Sequence, residues 1–198
     1  MYVKHFGLTY KPFNAAPDPR FLWLGEDQKK QIASLRHALL TQSGFVLITG
    51  DVGTGKTVLA KWLAESITKA AIVVRIPDPD MEKLDFFNFI ADGLGLEQYF
   101  ESKADFLIGL KRRLGHADDH SRKIVLVIDE AHRLRQEMLQ EIRLLANIDS
   151  GGRMQLSTVL AGLPGIEDML RDDRNRNVLQ RVSASIHLAP LTAESTRT

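Results

Sequence analysis

The sequence predicts an α/β domain built on a five-stranded parallel sheet flanked by helices. Two observations carry that prediction. Short, continuously apolar runs recur along the chain, and amphipathic helical stretches separate them. An unbroken apolar run is how a strand buried on both faces reads, as in parallel sheets covered by helices on each side. Alternation of strand and helix then calls for parallel pairing through right-handed crossovers. No internal repeat or low-complexity segment competes with this reading.

Residues 1–25 carry Pro12, Pro17 and Pro19 among Phe6, Phe13, Phe21 and Trp23. Proline fixes φ and removes a donor, so this stretch reads as an extended arm packed through its side chains. Residues 26–192 form the domain proper. Its first helix spans Glu26–Gln42, with Ile32, Leu35 and Leu39 on one face. After Ser43-Gly44 comes the first strand, Phe45–Thr49. Further strands follow at Ala71–Ile76, Ile124–Ile128, Leu156–Leu160 and, more weakly, Ser185–Leu188. Helices are expected over Lys56–Lys69, Leu84–Leu94, Lys103–Leu114, Leu134–Ala146 and Gly165–Leu170. In the fourth of these, Leu134, Met138, Ile142 and Leu145 form a stripe. Residues 193–198 read as the truncated start of a further helix.

Composition narrows the class. The 198 residues are 44% hydrophobic and 26% charged, with a net charge of +1. These values exclude a disordered tail, a collagenous rod and a membrane bundle. Near neutrality gives no global electrostatic case for nucleic acid. The chain has no cysteine, which removes disulfides and thiolate metal sites. The start lacks a signal-peptide pattern, and no apolar run approaches the ~18 residues that span a bilayer. The expectation is a soluble domain in the cytoplasm.

Chemistry enters at Gly50-Asp51-Val52-Gly53-Thr54-Gly55-Lys56-Thr57. This string fits G-x-x-x-x-G-K-[ST], directly after a strand and before a helix that Val58 continues. Glycines let such a loop turn its N–H groups around a β-phosphate, and the helix N-terminus adds its positive end. Lys56 can reach the β- and γ-phosphates, and the Thr57 hydroxyl can ligate Mg²⁺. A second element, Asp129-Glu130, ends the Ile124–Ile128 run, at the strand edge where α/β sheets hold ligands. Asp129 is suited to the Mg²⁺ shell, and Glu130 to polarising a water for attack on the γ-phosphate. The expected ligands are ATP and Mg²⁺.

Three relatives of this motif pair fit less well. A GTPase needs a guanine-reading N/T-K-x-D string late in the chain. Ser102-Lys103-Ala104-Asp105 lies upstream of the acidic pair and starts a helix. Asp129-Glu130-Ala131-His132 spells DEAH, but a helicase of that type needs a second motor domain. A small-molecule kinase would rarely need Glu130.

The sequence resembles instead the AAA+ ATPase domain of the general secretion pathway protein A family, which includes ATPases linked to exosortase systems. The likeness rests on the opening HFGL–x–YKPF–NAAPDPRFLWL string, GDVGTGKT, VIDEAHRL, LLANID and the VLAGLPGIEDML–QRV–HLAPLTAE stretch. It implies that Phe13 to Leu22 lie over the adenine. It implies that Arg181 is an arginine finger reaching a neighbour's γ-phosphate in a homo-oligomeric, hexameric ring. A helical lid is expected to follow, absent from this chain. The full-length protein would assemble an envelope secretion or export apparatus, anchored in the inner membrane through a C-terminal part. The alternative is a nucleotide-gated DNA-binding ATPase of the transposition-regulator kind. One departure stands out: Leu163 falls where the family usually has a polar, water-positioning residue. That implies slower hydrolysis, or transfer of the task to Thr158.

Other features read more plainly. His116 and His120, with Asp118 and Asp119 between them, have metal-like spacing but no third ligand, so a solvated loop is expected. Arg171, Arg174, Arg176 and Arg181 form a basic cluster diluted by Asp172 and Asp173. A solvated or intersubunit face fits it better than DNA. Trp23 and Trp62 are expected to pack in the arm or core.

Overall fold

The computed structural model describes residues 2–11, 18–115, 123–150, 153–154 and 156–192. Its elements run α1 (Tyr2–His5), α2 (Glu26–Thr41), β1 (Phe45–Gly50), α3 (Lys56–Ile67), β2 (Ala71–Ile76), α4 (Lys83–Gly93) and α5 (Lys103–Gly115). They continue with β3 (Lys123–Ile128), α6 (Gln136–Leu145), β4 (Asp149–Ser150), β5 (Arg153–Met154), β6 (Leu156–Gly162), α7 (Gly165–Arg171), α8 (Arg176–Leu179) and β7 (Val182–Leu188). Short 3-10 turns occupy Pro19–Phe21, Ala131–Arg133 and Asp173–Asn175.

The five long strands form one parallel sheet in the order β2-β3-β6-β1-β7. Each central strand alternates its side chains between two cores. Val46 and Ile48 of β1, Val125 and Val127 of β3, and Val159 and Ala161 of β6 face α2 and α3, where Ile32, Leu35, Leu59 and Leu63 are buried. Phe45, Leu47, Leu126 and Leu160 face the other way, toward Phe86, Phe87, Met138 and Ile142. Both faces are covered, so apolar side chains stand at successive positions, as over Phe45–Ile48 and Ile124–Ile128. At ~25 cal/mol per Å² of apolar area, this double burial is the main favourable term in folding.

The structure departs from the sequence expectation in several places. The arm is not extended throughout, because α1 precedes the first proline and Asp18 accepts from the Arg20 N–H to cap the turn at Pro19–Phe21. Helix α6 starts at Gln136, with Leu134 buried in the short link before it. Strand β7 is longer than expected. Its Ser183, Ser185 and His187 are exposed because it is an edge strand covered on one face. The β4–β5 hairpin and α8 were not anticipated. Among the described residues, no helix is long and apolar enough to cross a membrane.

Candidate functional site

Parallel register brings the ends of β1, β3 and β6 to one edge of the sheet. Leu47 pairs with Leu160, which pairs with Ile128, so the residues that follow each strand emerge side by side. From β1 the chain enters the loop 50–57. Gly53 and Gly55 take φ of 80° and 90°, values open to glycine but not to a β-branched residue. Gly55 is the N-cap of α3, which leaves the first-turn N–H groups of that helix facing the loop. Thr54 Oγ1 donates to Asp51 O at 2.8 Å, and Lys56 Nζ donates to the same oxygen at 2.7 Å. The Lys56 residue is 8% exposed, so its ammonium is held over the loop rather than in bulk water.

The arm closes one side of this loop. Phe21, Leu22, Trp23 and Leu24 line a cavity of about 400 Å³ together with the loop and the strand β7 exit, including Val52, Val58 and Leu191. An apolar wall beside a glycine-rich loop suits a flat heterocycle next to its phosphates. Phe13, expected in the same wall, lies outside the described residues, as do His116 and His120. Trp62 is partly buried against the α2–α3 core, whereas Trp23 is 43% exposed.

On the other side of the loop, Thr57 and Asp129 line one small cavity of about 10 Å³, with Lys61, Arg75 and Pro77 around it. A hydroxyl and a carboxylate oxygen are the hard donors that Mg²⁺ takes while keeping several waters. The Asp129 N–H donates to Ile76 O, and Asp129 Oδ1 accepts from the Glu130 N–H at 3.0 Å. Glu130 has φ 48° and ψ 34°, and its carboxylate is half exposed at the sheet edge. Two arginines clamp the turn that follows. Arg133 bridges Asp78 and Asp80, and Arg135 reaches Glu82 and the Met81 carbonyl. The Asp78 and Asp80 carboxylates, the Asp78 charge first, raise the Arg133 pKa above its ordinary value.

Arg181 stands elsewhere. Its carbonyl accepts from the Phe45 N–H, at the start of β1 and the edge opposite the loop. Five residue steps along β1 separate the two edges, about 16 Å. Arg181 therefore cannot serve the loop of its own chain. In the arginine cluster, Arg171 pairs with Glu167 and Asp168, and Arg174 pairs with Asp172. Side-chain and backbone hydrogen bonds from Arg174 hold the Asp172 carboxyl down at about 2. Thr158 cannot stand in for Leu163. It is fully buried midway along β6, paired with Phe45, and its hydroxyl has no partner among the described residues.

Sequence reasoning missed Asn175 and His132. Asn175 is fully buried and bonds Gln136, Gln140 and the Met169 carbonyl, which fastens the arginine-bearing segment to α6. No periodicity or motif marks it.

The sheet order, the glycine-rich loop at its edge and the acidic pair beside it define a nucleotide-binding P-loop domain of the AAA+ kind. Residues 38–170 match the AAA domain family model, and the chain belongs to that family. The chain is 33% identical over 198 residues to the general secretion pathway protein A of Aeromonas hydrophila, covering 96% of this chain and 35% of that protein. It thus spans about a third of the length of this curated relative. Among solved structures it is similar to Cdc6p of Pyrobaculum aerophilum, at a TM-score of 0.66 and 24% identity over 86% of this chain and 46% of that one. It is also similar to the ADP form of the ORC2 protein of Aeropyrum pernix, at a TM-score of 0.68 and 19% identity over 93% and 53%. These two likenesses bear on the fold.

Proposed function

We propose that this domain binds Mg-ATP and hydrolyses it, with turnover completed by a second copy of the chain. The observation that carries the reading is the convergence of the phosphate loop, Lys56, Thr57 and the Asp129-Glu130 pair at one sheet edge. In this reading the N–H groups of residues 50–58 cradle the β-phosphate. Lys56 exchanges its Asp51 carbonyl for phosphate oxygens. Thr57 and Asp129 hold the Mg²⁺, which neutralises charge on the phosphates when bound. Glu130 takes the proton of the attacking water, and the arm keeps solvent off the base. Arg181, on the far edge and without a carboxylate partner among the described residues, supplies its guanidinium to the neighbouring copy's γ-phosphate. A ring is the arrangement that lets every copy both give and receive one.

The likeness to general secretion pathway protein A supports a role in driving or switching assembly of a cell-envelope export apparatus. ATP binding and phosphate release, followed across a range of protein concentrations, test the core of the reading. Turnover per chain should rise with concentration. It should fall by ~10³-fold in both Glu130→Gln and Arg181→Ala, while Mg-ATP binding persists in each. Concentration-independent turnover insensitive to Arg181→Ala would remove the second copy from the mechanism.

A further inference from the structure

His132 touches both the acidic turn and the end of β6. It sits in the 3-10 turn Ala131–Arg133, two residues beyond Glu130. Its Nδ1 accepts a hydrogen bond from the main-chain N–H of Leu163, the first residue past β6, at 3.4 Å. An acceptor role at Nδ1 leaves the proton of the neutral ring on Nε2. Nε2 stands 3.6 Å from Glu130 Oε2. Among the described residues, no other side chain reaches that carboxylate.

The surroundings are shaped for this contact. Glu130 is the one non-glycine residue with positive φ among those described, a conformation that costs ~1–2 kcal/mol for an L-residue. It is held by its N–H to Asp129 Oδ1 and by its carbonyl, which accepts from the Arg133 N–H at 2.8 Å. Such strain persists where the structure around it over-determines the geometry. Gly162 leaves room for the backbone of the turn that carries His132. A Cβ there would stand 3.0 Å from the His132 main-chain nitrogen and 3.3 Å from that of Ala131.

We propose that His132 is a positioning residue for Glu130, which couples the end of β6 to the water-polarising carboxylate through the two nitrogens of its ring. The proposal rests on the hydrolysis reading above. It gives the aliphatic Leu163 a role as well, because the polar contact at the end of β6 is made by its N–H and not by its side chain.

Turnover and Mg-ATP affinity of His132→Ala and His132→Gln, measured beside Glu130→Gln, provide the test. His132→Ala should lose about tenfold or more in kcat with its Mg-ATP Kd within about twofold of the parent, the split expected when only transition-state geometry is lost. His132→Gln, whose amide donor reaches a similar place, should recover part of the loss. Wild-type kcat in His132→Ala, with Glu130→Gln inactive, overturns the inference and leaves hydrolysis standing. If the parent chain turns over no ATP, the hydrolysis reading falls, and nitrogen NMR of the imidazole in the unsubstituted chain decides the inference. A ring locked as the Nε2–H tautomer, and altered by Glu130→Gln, supports the coupling. A tautomer mixture indifferent to Glu130→Gln overturns it. The same NMR readout decides the matter should His132→Ala fail to fold.

Discussion

Gly50 shows how narrowly the site is drawn at the scale of single residues. It ends β1 opposite Leu188 with φ 155°. A Cβ at this position would stand 2.5 Å from the Leu188 carbonyl oxygen and 2.7 Å from Thr54 Oγ1. Neither neighbour can retreat cheaply, since one is ladder backbone and the other is bonded to Asp51. Gly50→Ala should therefore cost ~1–3 kcal/mol of stability and weaken Mg-ATP binding, read by urea unfolding and nucleotide titration. A variant as stable as the parent would mean that β7 yields more easily than its pairing suggests. The phosphate loop was legible in the sequence because its requirements are local: positive φ at Gly53 and Gly55, then a lysine in the first helical turn. His132 was visible only as a letter of DEAH. Its contact with Leu163 crosses from one strand end to another, which no spacing records. Ser102 gives the opposite case. It accepts from the Asp105 N–H and caps α5, so the Ser102-Lys103-Ala104-Asp105 string is a helix start, as its sequence position implied.

Among the elements, α4, α5 and α6 meet around one carboxylate. Glu141 of α6 is 8% exposed and accepts from Lys83 Nζ at 3.1 Å and from Lys103 Nζ. Burial pushes its carboxyl up, but the hydrogen bonds from Lys103 and Lys83 outweigh that and hold it below the usual glutamate range. A carboxylate depressed in the folded state stabilises fully above its unfolded pKa of ~4.3, and the gain is lost as pH falls through the lower folded value. Both lysines are more than a third exposed, so the contribution is about 1 kcal/mol at neutral pH. Glu141→Gln should be less stable than the parent at pH 7, and the gap between their urea midpoints should close toward pH 3. A gap constant across that range would assign the effect to packing. Helix α6 also shows where pattern reading slips. Leu134 belongs to the buried stripe yet precedes the helix, because apolar periodicity reports burial and not hydrogen bonding.

For the whole molecule, strand order decides which segments can act together. The order β2-β3-β6-β1-β7 sets the loop after β1 next to the end of β6 and within reach of the end of β3, with the arm and the β7 exit on its flank. Mg-ATP would contact all of these at once. Differential scanning should then show a higher Tm with nucleotide, equivalent to about 2.7 kcal/mol at a hundredfold excess over Kd, and no shift in Lys56→Ala. A shift that survives Lys56→Ala would move the binding site away from the loop. The sequence by itself determined the parallel α/β class, the phosphate loop and the position of the acidic pair. Each is encoded by neighbouring residues, through burial on both strand faces or through backbone angles that few residues adopt. Only the tertiary structure decided the sheet order and the meeting of His132 with Leu163 and Glu130. Those depend on which distant strands pack together, a choice made by burial over the whole domain rather than by the chemistry of adjacent residues.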